Sequence, residues 1–158
     1  MSAGLAQRIA AFLDAHHVMS LATAGDKNPH AANVFYARDG LGLVWVSDPA
    51  SQHSCELQVR PQVAATIAPD YADFPEIQGL QVRGMAHRVA DPGEQAHLLG
   101  LLKARYPFLA KLDTAPPDLK AAWARAVLYR LDPQRIVMID NTRGFGHKET
   151  LEIGGVTD

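Results

Sequence analysis

Ser51-Gln52-His53-Ser54 sets two hydroxyls, an amide and an imidazole on four consecutive residues. Residues 51–59 read as a short helix, entered from a strand through Asp48-Pro49-Ala50 and closed by Arg60-Pro61, because proline disfavours helical geometry in the residue before it. The first amides of a helix lack partners inside it and sit at the positive end of its dipole, so with these side chains they can converge on one anion. Phosphate suits such a corner. The same serine can instead act only as a cap, with His53 solvated in the first turn.

One strand away, residues 32–37 are flanked by the small side chains Ala31, Ala32 and Ala37, which would let a planar ring approach the backbone. The plainer alternative is a half-buried strand whose small residues serve sheet packing. Gly144-Phe145-Gly146-His147-Lys148 lacks the full phosphate-loop frame, and Glu149 stands where a dinucleotide fingerprint needs its third glycine. Both nucleotide motifs are rejected. What remains there is a segment presenting an aromatic, a titratable and a cationic side chain, able to close over a ligand or merely to cap the fold.

Seven histidines form no metal signature, since His16 and His17 are adjacent, His53 and Cys55 diverge on a helix, and no His-Glu-x-x-His occurs. No metal is expected. There is no Gly-x-Ser-x-Gly elbow, and Cys55 is expected to be a small buried group rather than a nucleophile. Trp45 and Trp123 read as core or interface residues, because no basic stripe accompanies them.

The elements that position these groups follow from periodicity. Leu5, Ile9, Phe12 and Leu13 recur at helical spacing, with Ser2 available as a cap and His16-His17 at the end. Residues 18–23, 30–37 and 41–47 are β-branched and aromatic runs separated by turn residues, and predict a three-stranded antiparallel meander. Residues 63–68 and 77–89 continue as strands, the second carrying Gly79 and Gly84 where a bulge would bend it. Helices are expected at 92–105 and 117–125. Strands at 127–131 and 135–140 would flank an Asp132-Pro133-Gln134 turn, and a last strand is expected to end at Ile153. The sum is an α+β domain over residues 1–158, built on an antiparallel six- to seven-stranded, partly closed (split) β-barrel with peripheral helices.

Composition bounds the function. The 158 residues carry 15 Lys plus Arg against 17 Asp plus Glu, and 47% of them are hydrophobic, which fits a single globular domain. Through Gly79 the chain has 4 basic and 8 acidic residues, and from Leu80 it has 11 basic and 9 acidic, an excess too scattered for a nucleic-acid surface. One cysteine makes no disulfide framework. No run is long and apolar enough to span a membrane and residues 1–17 lack the order of a secretory signal, so a cytoplasmic protein without membrane partners is expected.

Three blocks taken together carry a resemblance: Pro29-His30-Ala31-Ala32-Asn33-Val34-Phe35-Tyr36, then Leu43-Val44-Trp45-Val46-Ser47-Asp48-Pro49-Ala50-Ser51-Gln52-His53, then Gln78-Gly79-Leu80-Gln81-Val82-Arg83-Gly84. Their order resembles the FMN-binding split barrels of the pyridoxamine 5'-phosphate oxidase-like superfamily. The ending Asp140-Asn141-Thr142-x-Gly144-Phe145-Gly146-x-Lys148 is similar to that of an uncharacterised bacterial branch. The resemblance implies that a flavin ring lies along Ala32, Asn33, Val34, Phe35 and Tyr36, with contacts at Val46 and Ser47 and phosphate held at Ser51, Gln52 and His53. It implies a flavin contact at Gln81, with Gln78 the competitor. His147 and Lys148 would face substrate from a partner chain.

Departures from the family pattern restrict the activity. Its oxidases have Arg-Lys where this chain has Gln52 and His53, a basic residue at Ala32 and a lysine at Ala37, and their Arg-x-His-Asp-Arg ending is missing. The phosphate loses charge-assisted partners, and oxidation of pyridoxamine phosphate is not expected. The resulting expectation is a homodimeric flavoprotein with FMN at the interface, passing hydride or electrons to a small molecule. The alternative is a non-catalytic module that stores or senses flavin or heme, or a scaffold without cofactor.

Overall fold

The computed structural model describes residues 3–154. The proposed Ser2 cap lies outside the described residues, and Gly4 holds the N-cap position of α1 (Leu5–Ala15), whose Ile9, Phe12 and Leu13 are buried as their spacing requires. Then come β1 (Val18–Thr23), β2 (His30–Phe35), β3 (Ala37–Asp39), β4 (Gly42–Ser47), α2 (Gln52–Val59), β5 (Gln62–Ile67) and β6 (Gln78–Arg88). The chain ends with α3 (Pro92–Arg105), α4 (Pro117–Arg125), β7 (Val127–Asp140) and β8 (Lys148–Glu152), with short 3-10 turns at Phe74–Glu76, Pro107–Thr114 and Asn141–Arg143. The α+β split barrel expected from sequence is the fold observed.

All pairings are antiparallel and the strand order is β2-β1-β5-β6-β7-β4-β3, with β8 on β7. β2 and β3 therefore occupy opposite ends of the sheet although one residue, Tyr36, joins them. One residue spans only about 7 Å between its neighbours, so the sheet has to curl until its ends meet. This corrects the three-stranded meander: β1 pairs with β2 and β3 with β4, but the run 30–37 breaks at Tyr36. The Tyr36 ring is fully buried, and its hydroxyl donates to Leu13 O at 2.8 Å. Its amide donates to His17 O at 3.0 Å, and its carbonyl accepts from Tyr106 Oη.

The expected turn at Asp132-Pro133-Gln134 is also corrected, because β7 runs unbroken through it. Arg83 faces Arg135 while Gly84 faces Pro133, so Gln134 is an extra residue and the ladder bulges. A proline is tolerated there because the bulge interrupts regular pairing. Gly84 is required on the other side: a Cβ at that position would stand 2.1 Å from Asp132 O. The bulge anticipated at Gly84 is present, and none occurs at Gly79, where the register is continuous.

Alternating inward residues of the strands fill the barrel, with Trp45 stacked on Tyr129 at 5.8 Å between ring centroids. A second cluster lies between α3 and the sheet, where Leu98 and Leu102 meet Val44, Val89 and Leu128. Cys55 is exposed, which corrects the expectation of a buried thiol, since α2 turns Ser54 and Leu57 inward instead. Trp123 is half-buried against the second cluster.

Candidate functional site

The corner between β4 and α2 is built by local hydrogen bonds. Asp48 ties the turn together, accepting from Ala50 N at 2.8 Å through its side chain and from Ser51 N at 3.0 Å through its carbonyl. Ser51 occupies the N-cap position of α2, yet its side chain makes no cap bond. Its hydroxyl donates instead, lying 2.8 Å from Asp48 O and 2.7 Å from Ser54 Oγ. Intrahelical bonding begins with Cys55 N to Ser51 O at 3.0 Å, so among the described residues no acceptor meets the amides of Gln52, His53 and Ser54. The plain capping reading fails, and three donors stay available.

His53 Nε2 lies 2.8 Å from Ser47 Oγ and 3.3 Å from Ser51 Oγ, which draws the end of β4 and the start of α2 into one polar cluster. Burial, and then the neighbouring His30, hold the His53 imidazole below its ordinary value, so it is neutral near pH 7. Gln52 turns its side chain along the helix to Glu56 Oε1 at 2.9 Å, leaving only its amide at the corner. Glu56, which sequence reasoning passed over, also accepts from Thr23 Oγ1 at 2.6 Å and is held below the usual carboxylate range chiefly by that bond. Its signal was the Gln-x-x-x-Glu spacing that stacks residues 52 and 56 on one helix face. Gly25, with φ of 57°, gives Glu56 its room, since a Cβ there would come within 2.9 Å of Glu56 Cγ.

β2 packs beside α2, and among the described residues no strand pairs with its other side. Because Tyr36 N–H bonds to His17 O, the antiparallel alternation directs the backbone groups of Val34, Ala32 and His30 to β1. Those of Ala31, Asn33 and Phe35 point to the free edge. Ala32 and Val34 turn their side chains toward the barrel, whereas Asn33 and Phe35 face outward, Asn33 Oδ1 accepting from Ser20 Oγ at 2.7 Å. Tyr36 contributes no accessible side chain. Val46 is half-buried beside the cluster under α3, and Ser47 joins the corner.

The remaining expected residues are not brought to this corner. Gln81 faces outward in mid-sheet, paired with Thr66 and Val137 and three strands from Asn33, about 14 Å at ordinary strand spacing. Gln78 is engaged with Asp140 Oδ1 at 3.0 Å. His147 and Lys148 lie by the Asp140 end of β7, whereas Ser47 pairs at its Val127 end. His147 Nε2 is 3.4 Å from Glu149, a carboxylate held down to about 2 chiefly by Arg8, which donates to both its oxygens at 2.7 Å. Among the described residues no three His, Cys, Asp or Glu side chains converge as a metal set. No helix described is long and apolar enough to cross a membrane.

The family described as Pyridoxamine 5'-phosphate oxidase matches residues 5–136. The chain belongs to this family. A UPF0306 protein of Yersinia pestis is 30% identical over 139 residues, covering 87% of this chain and 86% of that one. The fold is similar to a heme binding protein of Mycobacterium smegmatis, with a TM-score of 0.73 and 18% identity, over 96% of this chain but 60% of that protein. It is also similar to HutZ, the heme storage protein of Vibrio cholerae, with a TM-score of 0.64 and 17% identity over 80% of this chain and 88% of that one.

Proposed function

We propose that the protein is a homodimeric FMN-binding oxidoreductase of a single domain, with the phosphate on α2 and the ring along β2. The observation that carries this is the adjacency of an uncapped helix start and an unpaired strand edge. Gln52, His53 and Ser54 would offer their amides to the phosphate, with the Ser47, Ser51 and His53 side chains around it. The free-edge N–H and C=O groups of Ala31, Asn33 and Phe35 match the donors and acceptors along the edge of a flavin ring. Bound there, the flavin would supply hydride or electron transfer to a small molecule. The chain's own work is to grip the phosphate, orient the ring and keep the ring edge away from water. Gln81, His147 and Lys148 lie away from this corner in their own chain, and His147 with Lys148 would face the substrate from the partner chain.

A second reading, a non-catalytic module for flavin or heme, is favoured by one feature. The corner offers a neutral imidazole and an amide in place of guanidinium and ammonium groups, and two structurally similar proteins are heme proteins by name. Titrating the apoprotein with FMN and with hemin, followed by reduction with NAD(P)H and reoxidation by quinone, nitro or heme acceptors, decides between them. Saturable FMN uptake with turnover supports the enzyme. FMN or hemin uptake without turnover supports the module, and uptake of neither rejects both.

A further inference from the structure

α1 does not close its own end. The last carbonyls of a helix lack partners inside it, and here His16 rather than a glycine takes the C-cap position and no basic residue lies in the last turn. The partners come from the end of α3, some 89 to 92 residues along the chain. Arg105 donates to Leu13 O and to Asp14 O at 3.2 Å each, and also to His16 O. Its guanidinium, mostly buried, lies over the Tyr36 ring at 5.6 Å from the centroid, and the Tyr36 hydroxyl shares Leu13 O with it at 2.8 Å.

The next residue acts on the same point. Continuing the β1–β2 register sets His17 opposite Tyr36, where a regular antiparallel ladder would exchange two backbone bonds. Among the described residues only Tyr36 N to His17 O is made. The Tyr106 hydroxyl stands in for the missing donor: it meets Tyr36 O, the nearer acceptor, and lies 3.0 Å from His17 O. A hydroxyl has one proton, so the carbonyl of a fully buried residue depends on this group. Tyr106 thereby ends the ladder, and the chain leaves β2 for β3. Its ring also stands edge-on to Phe35, at 5.6 Å between centroids.

We propose that Arg105 and Tyr106 are positioning residues for the free edge of β2, holding its end from α3 through Tyr36. A cap for α1 would need only the helix carbonyls. The bond to Tyr36 O and the ring against Phe35 fix the strand instead. The proposal rests on the flavin reading above and adds the groups that would set the ring's place, which act through Tyr36 rather than on the cofactor.

Tyr106→Phe removes one oxygen and tests it. Tyr129→Phe is the control, because that hydroxyl is also buried but has no partner among the described residues. Circular dichroism verifies that both fold. In Tyr106→Phe the orphaned carbonyl is expected to speed hydrogen exchange at the Tyr36 amide about tenfold or more relative to Leu80 and Val82 of β6, and the control leaves this ratio unchanged. With β2 held less often in its binding position, FMN affinity should fall about fivefold and the visible band of bound flavin should shift. Inorganic phosphate, followed by the amide resonances of Gln52, His53 and Ser54, should bind as tightly as before. Arg105→Met, which keeps the stem, should give the same pattern. Exchange that rises equally in β6, or FMN and phosphate weakened together, would reveal a merely structural role and overturn the proposal, as would an unchanged Tyr36 amide or an unchanged FMN titration. If the wild type takes up no FMN, the flavin reading falls, and the exchange ratio alone decides whether the pair holds β2.

Discussion

Two helices of this chain begin beside a proline and an acidic residue, and they begin differently. At α3, Asp91 accepts from Glu94 N at 2.8 Å, Pro92 supplies no amide, and Glu94 adds a negative charge to the first turn. That start is closed. At α2, Asp48 spends its side chain on Ala50, Ser51 directs its hydroxyl to Asp48 O and the Ser54 hydroxyl rather than to the first amides, and no acid lies in the first turn. That start is open. A cap is thus a matter of where the side chain points, and the difference separates a helix that is merely stable from one able to receive an anion.

Closing α2 should have the largest effect. In Ser51→Asp a carboxylate reaches the first-turn amides and repels phosphate, so FMN affinity is expected to fall about a hundredfold, about 2.7 kcal/mol. The melting temperature should hold or rise, because the helix gains a cap. Fluorescence titration with FMN and a thermal melt read the two effects, and undiminished affinity would mean that the amides do not carry the phosphate.

Removing side chains without closing the start should cost less. Ser51→Ala combined with His53→Ala is expected to weaken FMN binding at least tenfold, about 1.4 kcal/mol, with the fold intact. An unchanged titration would leave the amides alone as the phosphate site. The reciprocal change at α3, Asp91→Ala, should cost about 1 kcal/mol of stability, seen as a melting temperature lower by about 2–4 °C, and leave FMN titration unaltered.

The open corner was legible because its parts are contiguous: residues 47–53 contain Ser47, Ser51 and His53, and turn and helix-start chemistry is local, although Glu56 one turn on was passed over. What was misread depends on distant residues. Nothing within residues 30–37 marks Tyr36 as a break, which is held by Leu13 and Tyr106 from elsewhere in the chain. Asp132-Pro133 carries ordinary turn chemistry, and only Gly84 on the facing strand makes it a bulge inside a long strand. How far Gln81 and Lys148 lie from α2 within one chain was not legible either, because it is a property of strand order, which alternation along a strand does not encode.

The smallest expected effect concerns protons. In the free protein His53 is held below its ordinary value by burial and by His30, so the unfolded chain takes up its proton first as pH falls. Stability linked to His53 is therefore present above the ordinary histidine range and is withdrawn on acidification through it. A phosphate dianion beside the imidazole acts oppositely, favouring the charged form and raising its pKa in the complex. The complex then binds more protons than the free protein, and FMN affinity should rise as pH falls from 8 toward 6.5, by at most about tenfold per unit because one proton is involved. That window lies above the phosphate's own second ionisation, near pH 6, so the cofactor does not supply the slope. His53→Gln keeps a polar group without the titration and should flatten the profile, whereas a slope that survives the substitution would assign the proton to another group.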